Sequence, residues 1–230
     1  MKTMTTLIGI KTKDGIFMAS DLQTTSGNMR MVDPSEKILT IGGCLISTCG
    51  SVGMCQQMIK QAIREIMIGQ VLSNSNIHLD IDQAELAGTL ADLNFRYPLE
   101  YKTFHPFGFL VAGVDRHTGE PVLSTIGDDG SNIPISTYHA EGSGAQVAIG
   151  KLDTLYRYDM DSTEAIQMLK KIIQECGKRD VYTAGVSIKS LELQPDGYYH
   201  PIVYDLNPQV NQRKKSVKSS DKKIKKKGAR

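Results

Sequence analysis

Apolar and polar residues alternate, or apolar residues form short runs, in several segments near the start of the chain. Segments 5–11 and 15–21 flank an Asp-Gly pair, and segments 37–41 and 44–48 flank two glycines. Alternation with a period of two, interrupted by glycine-containing turns, is typical of β-hairpins. The pattern therefore predicts two hairpins in this part of the chain.

After Ser51 the apolar residues recur at intervals of three and four, which predicts an α-helix. The side chains expected on its inner face are Val52, Cys55, Ile59, Ala62, Ile63, Ile66 and Met67. Asp82 is placed to cap a second helix. Leu86, Leu90 and Leu93 would then share one side of that helix.

The second half of the chain repeats this order of elements. Segments 107–114 and 121–126 predict a hairpin, and 133–138 a short strand. One helix is expected from the Gly-Ser-Gly at 142–144 to about residue 158, and another begins at Asp161. Strands at 186–193 and 198–204 follow. Blocks of strands that alternate with pairs of helices indicate an α+β fold, a four-layer αββα sandwich with two stacked antiparallel sheets.

Charge is distributed unevenly along the 230 residues. Residues 211–230 hold ten of the 27 basic residues and one of the 25 acidic residues, so they carry +9, whereas 17 bases and 24 acids give the remainder −7. We expect one domain at 5–208 and a disordered Lys-rich tail at 209–230. The acidic body argues against a nucleic-acid-binding fold, and contact with nucleic acid would fall to the tail alone.

Several classes of site are disfavoured by the sequence. No apolar run reaches the roughly 18 residues of a membrane helix, and no targeting signal is visible, so we expect a cytoplasmic protein without membrane contact. The four cysteines form no C-x-x-C pair, and the histidines are scattered. The sequence therefore predicts free thiols, no metal and no organic cofactor.

Three residues form a spaced set that suggests nucleophilic chemistry. Thr5 lies close to the start, Asp21 follows 16 residues later, and Lys37 follows after another 16. The natural interpretation is a hydroxyl nucleophile supported by a buried ion pair. If residues 1–4 are a leader that is removed, Thr5 gains a free α-amine with a pKa of roughly 8, which can act as the base.

These motifs resemble those of the β subunit of the proteasome core particle, in its archaeal form, within the N-terminal-nucleophile hydrolases. The resemblance covers about residues 5–193. It rests on eight motifs in the family's order: Thr5-Thr6-Leu7-Ile8-Gly9-Ile10, Lys13-Asp14-Gly15, Ala19-Ser20-Asp21, Lys37-Ile38, Cys49-Gly50-Ser51-Val52-Gly53, Val111-Ala112-Gly113-Val114-Asp115, Gly142-Ser143-Gly144 and Lys178-Arg179-Asp180.

The resemblance implies a threonine endopeptidase. Thr5 falls on the nucleophile, Asp21 and Lys37 on the ion pair, and Gly50 on the glycine whose N–H binds the oxyanion. Ser143, Asp180 and Thr183 fall beside the α-amine, and Thr183 stands where the family usually has Ser. The substrate side chain would be bound by residues of small or medium size, namely Thr24, Ser35, Leu39, Thr48, Val52 and Gln56.

The resemblance also implies partners. Other β subunits would complete a seven-membered ring, rings of proteasome α subunits would lie outside, and the substrates would be unfolded polypeptides. Met4 is a further departure from the family, because it stands where cleavage normally follows a glycine. Two alternatives therefore remain open: a non-catalytic structural β subunit that retains residues 1–4, and another N-terminal-nucleophile hydrolase that acts on small amides.

Overall fold

Two five-stranded antiparallel sheets form the centre of the protein, here described from a computed structural model. The structure describes residues 5–26, 29–31, 35–73, 81–97, 107–204 and 206. The expected leader at 1–4 and the tail at 209–230 lie outside these residues. No helix in the described ranges has both the length and the apolar character needed to cross a membrane.

The described residues contain twelve strands and four helices. The strands are β1 (Thr6–Thr12), β2 (Gly15–Ser20), β3 (Thr25–Ser26), β4 (Met29–Arg30), β5 (Ile38–Ile41), β6 (Cys44–Gly50), β7 (Phe107–Val114), β8 (Pro121–Ile126), β9 (Asn132–Ile135), β10 (Tyr138–Gly142), β11 (Ser187–Leu193) and β12 (Tyr199–Tyr204). The helices are α1 (Val52–Leu72), α2 (Gln83–Arg96), α3 (Ala145–Leu155) and α4 (Ser162–Gly177).

The first sheet has the order β10-β1-β2-β11-β12, and the second has the order β5-β6-β7-β8-β9. Every pairing within these two sheets is antiparallel. β3 and β4 form a separate two-stranded pair. In the first sheet, β1 and β2 are the predicted hairpin, and Leu7 lies opposite Ser20 in its register. This register brings the start of β1 and the end of β2 to the same end of the sheet.

Three apolar clusters hold four layers together. One lies between the first sheet and α3 with α4, and includes Ile8, Phe17 and Leu169. A second lies between the other sheet and α1 with α2. The third fills the space between the two sheets and includes Leu7 and Leu110. The predicted α+β class and the αββα sandwich are confirmed.

The helices follow the apolar spacing with two exceptions. In α1 the predicted inner residues Cys55, Ile59, Ala62 and Ile66 are buried, but Val52 and Met67 are exposed. Helix α4 starts with a capping box in which the Asp161 side chain accepts the Glu164 N–H.

The short strand expected at 133–138 is two strands in the structure. β9 closes the second sheet, and β10 begins at Tyr138 and pairs with β1 in the first sheet. The mixed sequence of β10, in which only Ala140 is buried, gives no alternating signal. β10 matters for the site because it ends at Gly142, directly before Ser143.

Candidate active site

Thr5 lies immediately before β1, with only 4 % of its surface exposed. Its hydroxyl oxygen accepts a hydrogen bond from the ammonium of Lys37, with 2.6 Å between Nζ and Oγ1. A positive charge at this distance stabilises the alkoxide form of a hydroxyl and so lowers its pKa. Lys37 precedes β5, so the two sheets each contribute one partner of this contact.

Asp21 follows β2 and holds Lys37 from the other side. Its Oδ1 lies 2.7 Å from Lys37 Nζ, and its side chain is completely buried. The same oxygen accepts the Thr6 N–H at 2.9 Å, and Oδ2 accepts the Gln23 N–H at 2.8 Å. These bonds satisfy the carboxylate and fix it relative to the backbone next to Thr5.

Burial disfavours the charged form of both partners of this ion pair, and the charge of each partner favours the charged form of the other. Removal from water raises the pKa of the Asp21 carboxyl, while the charge of Lys37 and the hydrogen bonds to the carboxylate oppose the rise. Removal from water lowers the pKa of the Lys37 ammonium, while Asp21 opposes the fall. Lys37 therefore depends on Asp21 to remain a cation beside the Thr5 hydroxyl.

A second group of polar side chains surrounds the backbone nitrogen of Thr5. That nitrogen donates to Ser143 Oγ at 3.2 Å. The single proton of the Ser143 hydroxyl goes to Asp180 Oδ2, its shortest acceptor at 2.6 Å. Asp180 therefore orients Ser143 so that a lone pair, and not the proton, points to the nitrogen of Thr5.

Thr183 extends this group to the next residue of β1. Its hydroxyl donates to Asp180 Oδ2 at 2.7 Å and lies 2.6 Å from Thr6 Oγ1. Because the Thr183 proton is used by Asp180, the Thr6 hydroxyl donates to Thr183. These hydrogen bonds form one network beside Thr5 that includes Thr6, Thr183, Asp180 and Ser143.

The glycines on both sides of Ser143 are required by close approach to the same residues. A Cβ at Gly144 would lie 2.0 Å from Thr6 Oγ1. Gly142 has a φ of +91°, and a Cβ there would lie 2.0 Å from the carbonyl oxygen of Thr5. The Gly-Ser-Gly sequence is therefore explained by the packing of this turn against β1.

Gly50 ends β6, directly before α1, and has a φ of 103°. The preceding residue, Cys49, belongs to the same inter-sheet cluster as Leu7, which brings this end of β6 to the start of β1. The Cys49 thiol donates to the carboxylate of Glu141 at 3.2 Å. Burial, and then Glu141, raise the pKa of Cys49 well above its ordinary value, so this thiol is not an activated nucleophile.

The six residues predicted to bind the substrate side chain lie on three parts of the fold. Thr24 and Ser35 lie in the segments that follow β2 and precede β5. Leu39 and Thr48 lie on the paired strands β5 and β6, and Val52 and Gln56 lie one turn apart on α1. Leu39 and Val52 are both exposed, as the side chains of an open binding surface would be. The substrate-binding role of these six residues stays a prediction.

The structure brings together the predicted set Thr5, Asp21, Lys37, Ser143, Asp180 and Thr183. Sequence reasoning missed Thr6 and Glu141, which complete the hydrogen bonds of this region. Adjacent threonines at a strand start were the only available signal for Thr6. Glu141 lies on β10, which the sequence pattern did not identify as a strand, and gave none.

Comparison with known proteins identifies the family. The family model described as "Proteasome subunit" matches residues 1–188. The chain is 30% identical over 190 residues to "Proteasome subunit beta" of Nanoarchaeum equitans, with 82% of this chain and 93% of the relative covered. It is also 30% identical to "Proteasome subunit beta 2" of Thermococcus onnurineus, with 85% and 93% covered.

A more distant match has the same description. "Proteasome subunit beta" of Methanosarcina barkeri is 28% identical over 177 residues, which cover 76% of this chain and 80% of the relative. The range of the family model, residues 1–188, includes both hairpins of the first half and the helices on each side of the sandwich. The chain therefore belongs to the proteasome subunit family and is of the archaeal β-subunit type.

Proposed function

We propose that this protein is a threonine endopeptidase in which Thr5, exposed as the first residue after removal of residues 1–4, is the nucleophile. The observation that carries the proposal is the position of the Thr5 hydroxyl 2.6 Å from Lys37 Nζ, with Lys37 held by buried Asp21. A threonine that served only as a strand former would not need a buried ammonium aimed at its hydroxyl.

The reaction begins when Thr5 Oγ1 attacks the carbonyl carbon of a peptide bond. Lys37 lowers the pKa of the hydroxyl, and the freed α-amine of Thr5 accepts the proton. The backbone N–H of Gly50 stabilises the oxyanion, a contribution of about 3 kcal/mol to the barrier for a donor of this kind. The α-amine then protonates the leaving amine, and an ester to Thr5 remains.

Water hydrolyses this ester in the second half of the reaction, with the same α-amine as base. Ser143 and Asp180 orient the amine through the contact that the Thr5 nitrogen makes with Ser143 Oγ. The reaction draws only on groups of this chain and on water. Exposed Leu39 and Val52, with their polar neighbours, favour a broad preference for the substrate side chain.

Assembly would keep such a site away from folded proteins. We place the chain in a seven-membered β ring, with α-subunit rings outside, in the cytoplasm, and acting on unfolded polypeptides. Family membership supports this assembly over a separate small-amide hydrolase. Met4, which stands before Thr5, favours the remaining alternative of a structural β subunit that keeps its leader.

Covalent labelling tests the nucleophile. A peptidyl electrophile that reacts with a 1,2-amino alcohol should add one equivalent per copy of this chain in the assembled particle, and peptide mapping should locate it on Thr5. Thr5→Ala should abolish labelling and lower peptidase activity at least about a thousandfold. Thr12→Ala, which changes a buried threonine at the other end of β1, is the control and should retain both. An assembled wild-type particle that is not labelled would favour the structural subunit.

A further inference from the structure

Lys37 lies in a short segment, residues 35–38, that forms several hydrogen bonds with other parts of the protein. The Ser35 N–H donates to the carbonyl of Leu22 at 2.9 Å. Lys37 itself lies just before β5 and belongs to no helix or strand. The position of its ammonium against Thr5 therefore depends on contacts made by its neighbours in sequence as well as on its ion pair with Asp21.

Glu36 provides one such contact. Its Oε1 accepts the Ile38 N–H at 3.2 Å, which closes a small turn around Lys37. The same oxygen accepts the Ser187 hydroxyl at 2.7 Å. Ser187 is the first residue of β11, so this bond ties the residue before Lys37 to the first sheet.

Lys189 provides the second contact, two residues further along β11. Its ammonium donates to the backbone carbonyl of Ile38. Ser187 and Lys189 point to the same side of the sheet, because side chains alternate along a strand. The residues before and after Lys37 thus both form hydrogen bonds with side chains of β11.

Lys189 is an unusual residue for this position. It is only 8 % exposed and lies in a strand whose neighbours Ile188 and Leu191 are completely buried. Among the described residues no salt bridge involves Lys189, although a buried ammonium is costly without a charged partner. Packing alone would favour an apolar side chain at this position. The contact that accounts for a lysine here is the hydrogen bond from its ammonium to the carbonyl of Ile38.

We infer that Lys189 and Ser187 are positioning residues that fix the 35–38 segment and thereby hold the Lys37 ammonium against the Thr5 hydroxyl. The inference rests on the proposed function, because it assigns β11 a part in the activity of Thr5. It differs from a purely structural role in one respect. Both contacts end on the residues adjacent to Lys37, so their loss should change catalysis at Thr5 more than stability or substrate binding.

The test compares four single variants in the assembled particle, the fourth being the rescue variant Lys189→Arg. Lys189→Met removes the ammonium with little change in volume, and Ser187→Ala removes the hydroxyl without creating a large cavity. Ser47→Ala is the matched control, because Ser47 lies opposite Ile38 on β6, is buried, and has no hydrogen-bond partner. For each variant we would measure kcat and KM with a fluorogenic peptide, and the midpoint of thermal unfolding.

Lys189→Met should lower kcat about tenfold and Ser187→Ala about threefold, with KM unchanged, and Lys189→Arg should recover part of the loss. Ser47→Ala should match the wild type. The inference is wrong if Lys189→Met and Ser187→Ala keep normal kcat, or if kcat falls only in proportion to the unfolding midpoint. Should Lys189→Met fail to fold, Ser187→Ala decides alone.

Crystal structures of Lys189→Met and Ser187→Ala separate this inference from the proposed function. Each should show Lys37 Nζ withdrawn from Thr5 Oγ1, whereas Ser47→Ala should keep the wild-type distance. An inactive wild-type particle would contradict the proposed function, but the displacement of Lys37 would still support its positioning by β11. An active wild type in which Lys37 stays in place in both variants would overturn the positioning role and leave the proposed function standing.

Discussion

Both ends of the first sheet bury a carboxylate, but only at one end does a cation join the carboxylate to a hydroxyl group. At one end, Asp21 binds Lys37, and Lys37 donates to the Thr5 hydroxyl. At the other end, Glu192 accepts the hydroxyls of Ser190, Ser162 and Tyr204. We refer to these last four residues as the Glu192 cluster.

The difference is the sign of the charge that each hydroxyl faces. The Thr5 hydroxyl faces the positive charge of Lys37, and a cation in contact with a hydroxyl favours its ionised form. In the Glu192 cluster, burial and then the bond to Glu192 raise the pKa of Tyr204 to about 12. No salt bridge to Glu192 is found within the described part of the chain. A buried carboxylate that accepts only hydroxyl protons stabilises the fold, whereas the proposed nucleophile has a cation in contact with its hydroxyl.

Among the substitutions that compare the two ends of the sheet, removal of the Asp21 charge should have the largest effect on kcat. Asp21→Asn should lower kcat at least about a hundredfold, because Lys37 loses the group that keeps it ionised and in place. Since burial lowers the pKa of Lys37 and Asp21 opposes this, the variant should have a still lower Lys37 pKa. Residual activity requires protonated Lys37. As the pH is raised, this activity should therefore be lost at a lower pH than in the wild type.

The pH dependence of kcat checks this prediction. In the wild type the alkaline loss of activity should already fall below 10.5, the ordinary pKa of lysine. Asp159→Asn, at a side chain that is 79% exposed, is the control and should leave the profile unchanged. An unchanged alkaline limb in Asp21→Asn would mean that Lys37 does not depend on Asp21.

Substitution of one serine at each end of the sheet should give a difference in kcat of intermediate size. Ser143 and Ser162 each donate to a carboxylate at 2.6 Å, but only Ser143 also contacts the Thr5 nitrogen. Ser143→Ala should lower kcat about tenfold, since the α-amine loses its orientation. Ser162→Ala should leave kcat within about twofold of the wild type. Equal effects of the two substitutions on kcat would show that proximity to Thr5 is not what matters.

The smallest effect on activity should come from Glu192. Gln at this position cannot accept all three hydroxyl protons, so Glu192→Gln should lower the free energy of unfolding by about 1–2 kcal/mol. Urea denaturation measures this change, and kcat should remain within about twofold of the wild type. A large loss of kcat at unchanged stability would assign the Glu192 cluster a part in the reaction and break the contrast.

The fold was more predictable from the sequence than the details of the site. The apolar runs in β1 and β2 follow from burial of both faces of these strands, and the spacing in α4 follows from burial of one face of the helix; both were predicted. β10 was not, because its sequence has one buried residue and its place is set by pairing with β1. The exposure of Val52 and Met67 was not predicted either.

Within the site, spacing and resemblance selected Thr5, Asp21 and Lys37. The contacts of Ser187 and Lys189 with the 35–38 segment join positions 151 residues apart. Such contacts depend on the register of β11 with β2 and on the stacking of the two sheets. One sequence has no local pattern that reports them, and the structure was needed to find them.

The most direct test of the central claim is the N-terminal residue of the active particle. Intact-mass measurement and N-terminal sequencing should be performed on particles that have just cleaved a peptide substrate. The account predicts that the chain begins at Thr5, so that its nitrogen is an amine beside Ser143. Particles that cleave peptides at full rate while the chain still begins before Thr5 would contradict it.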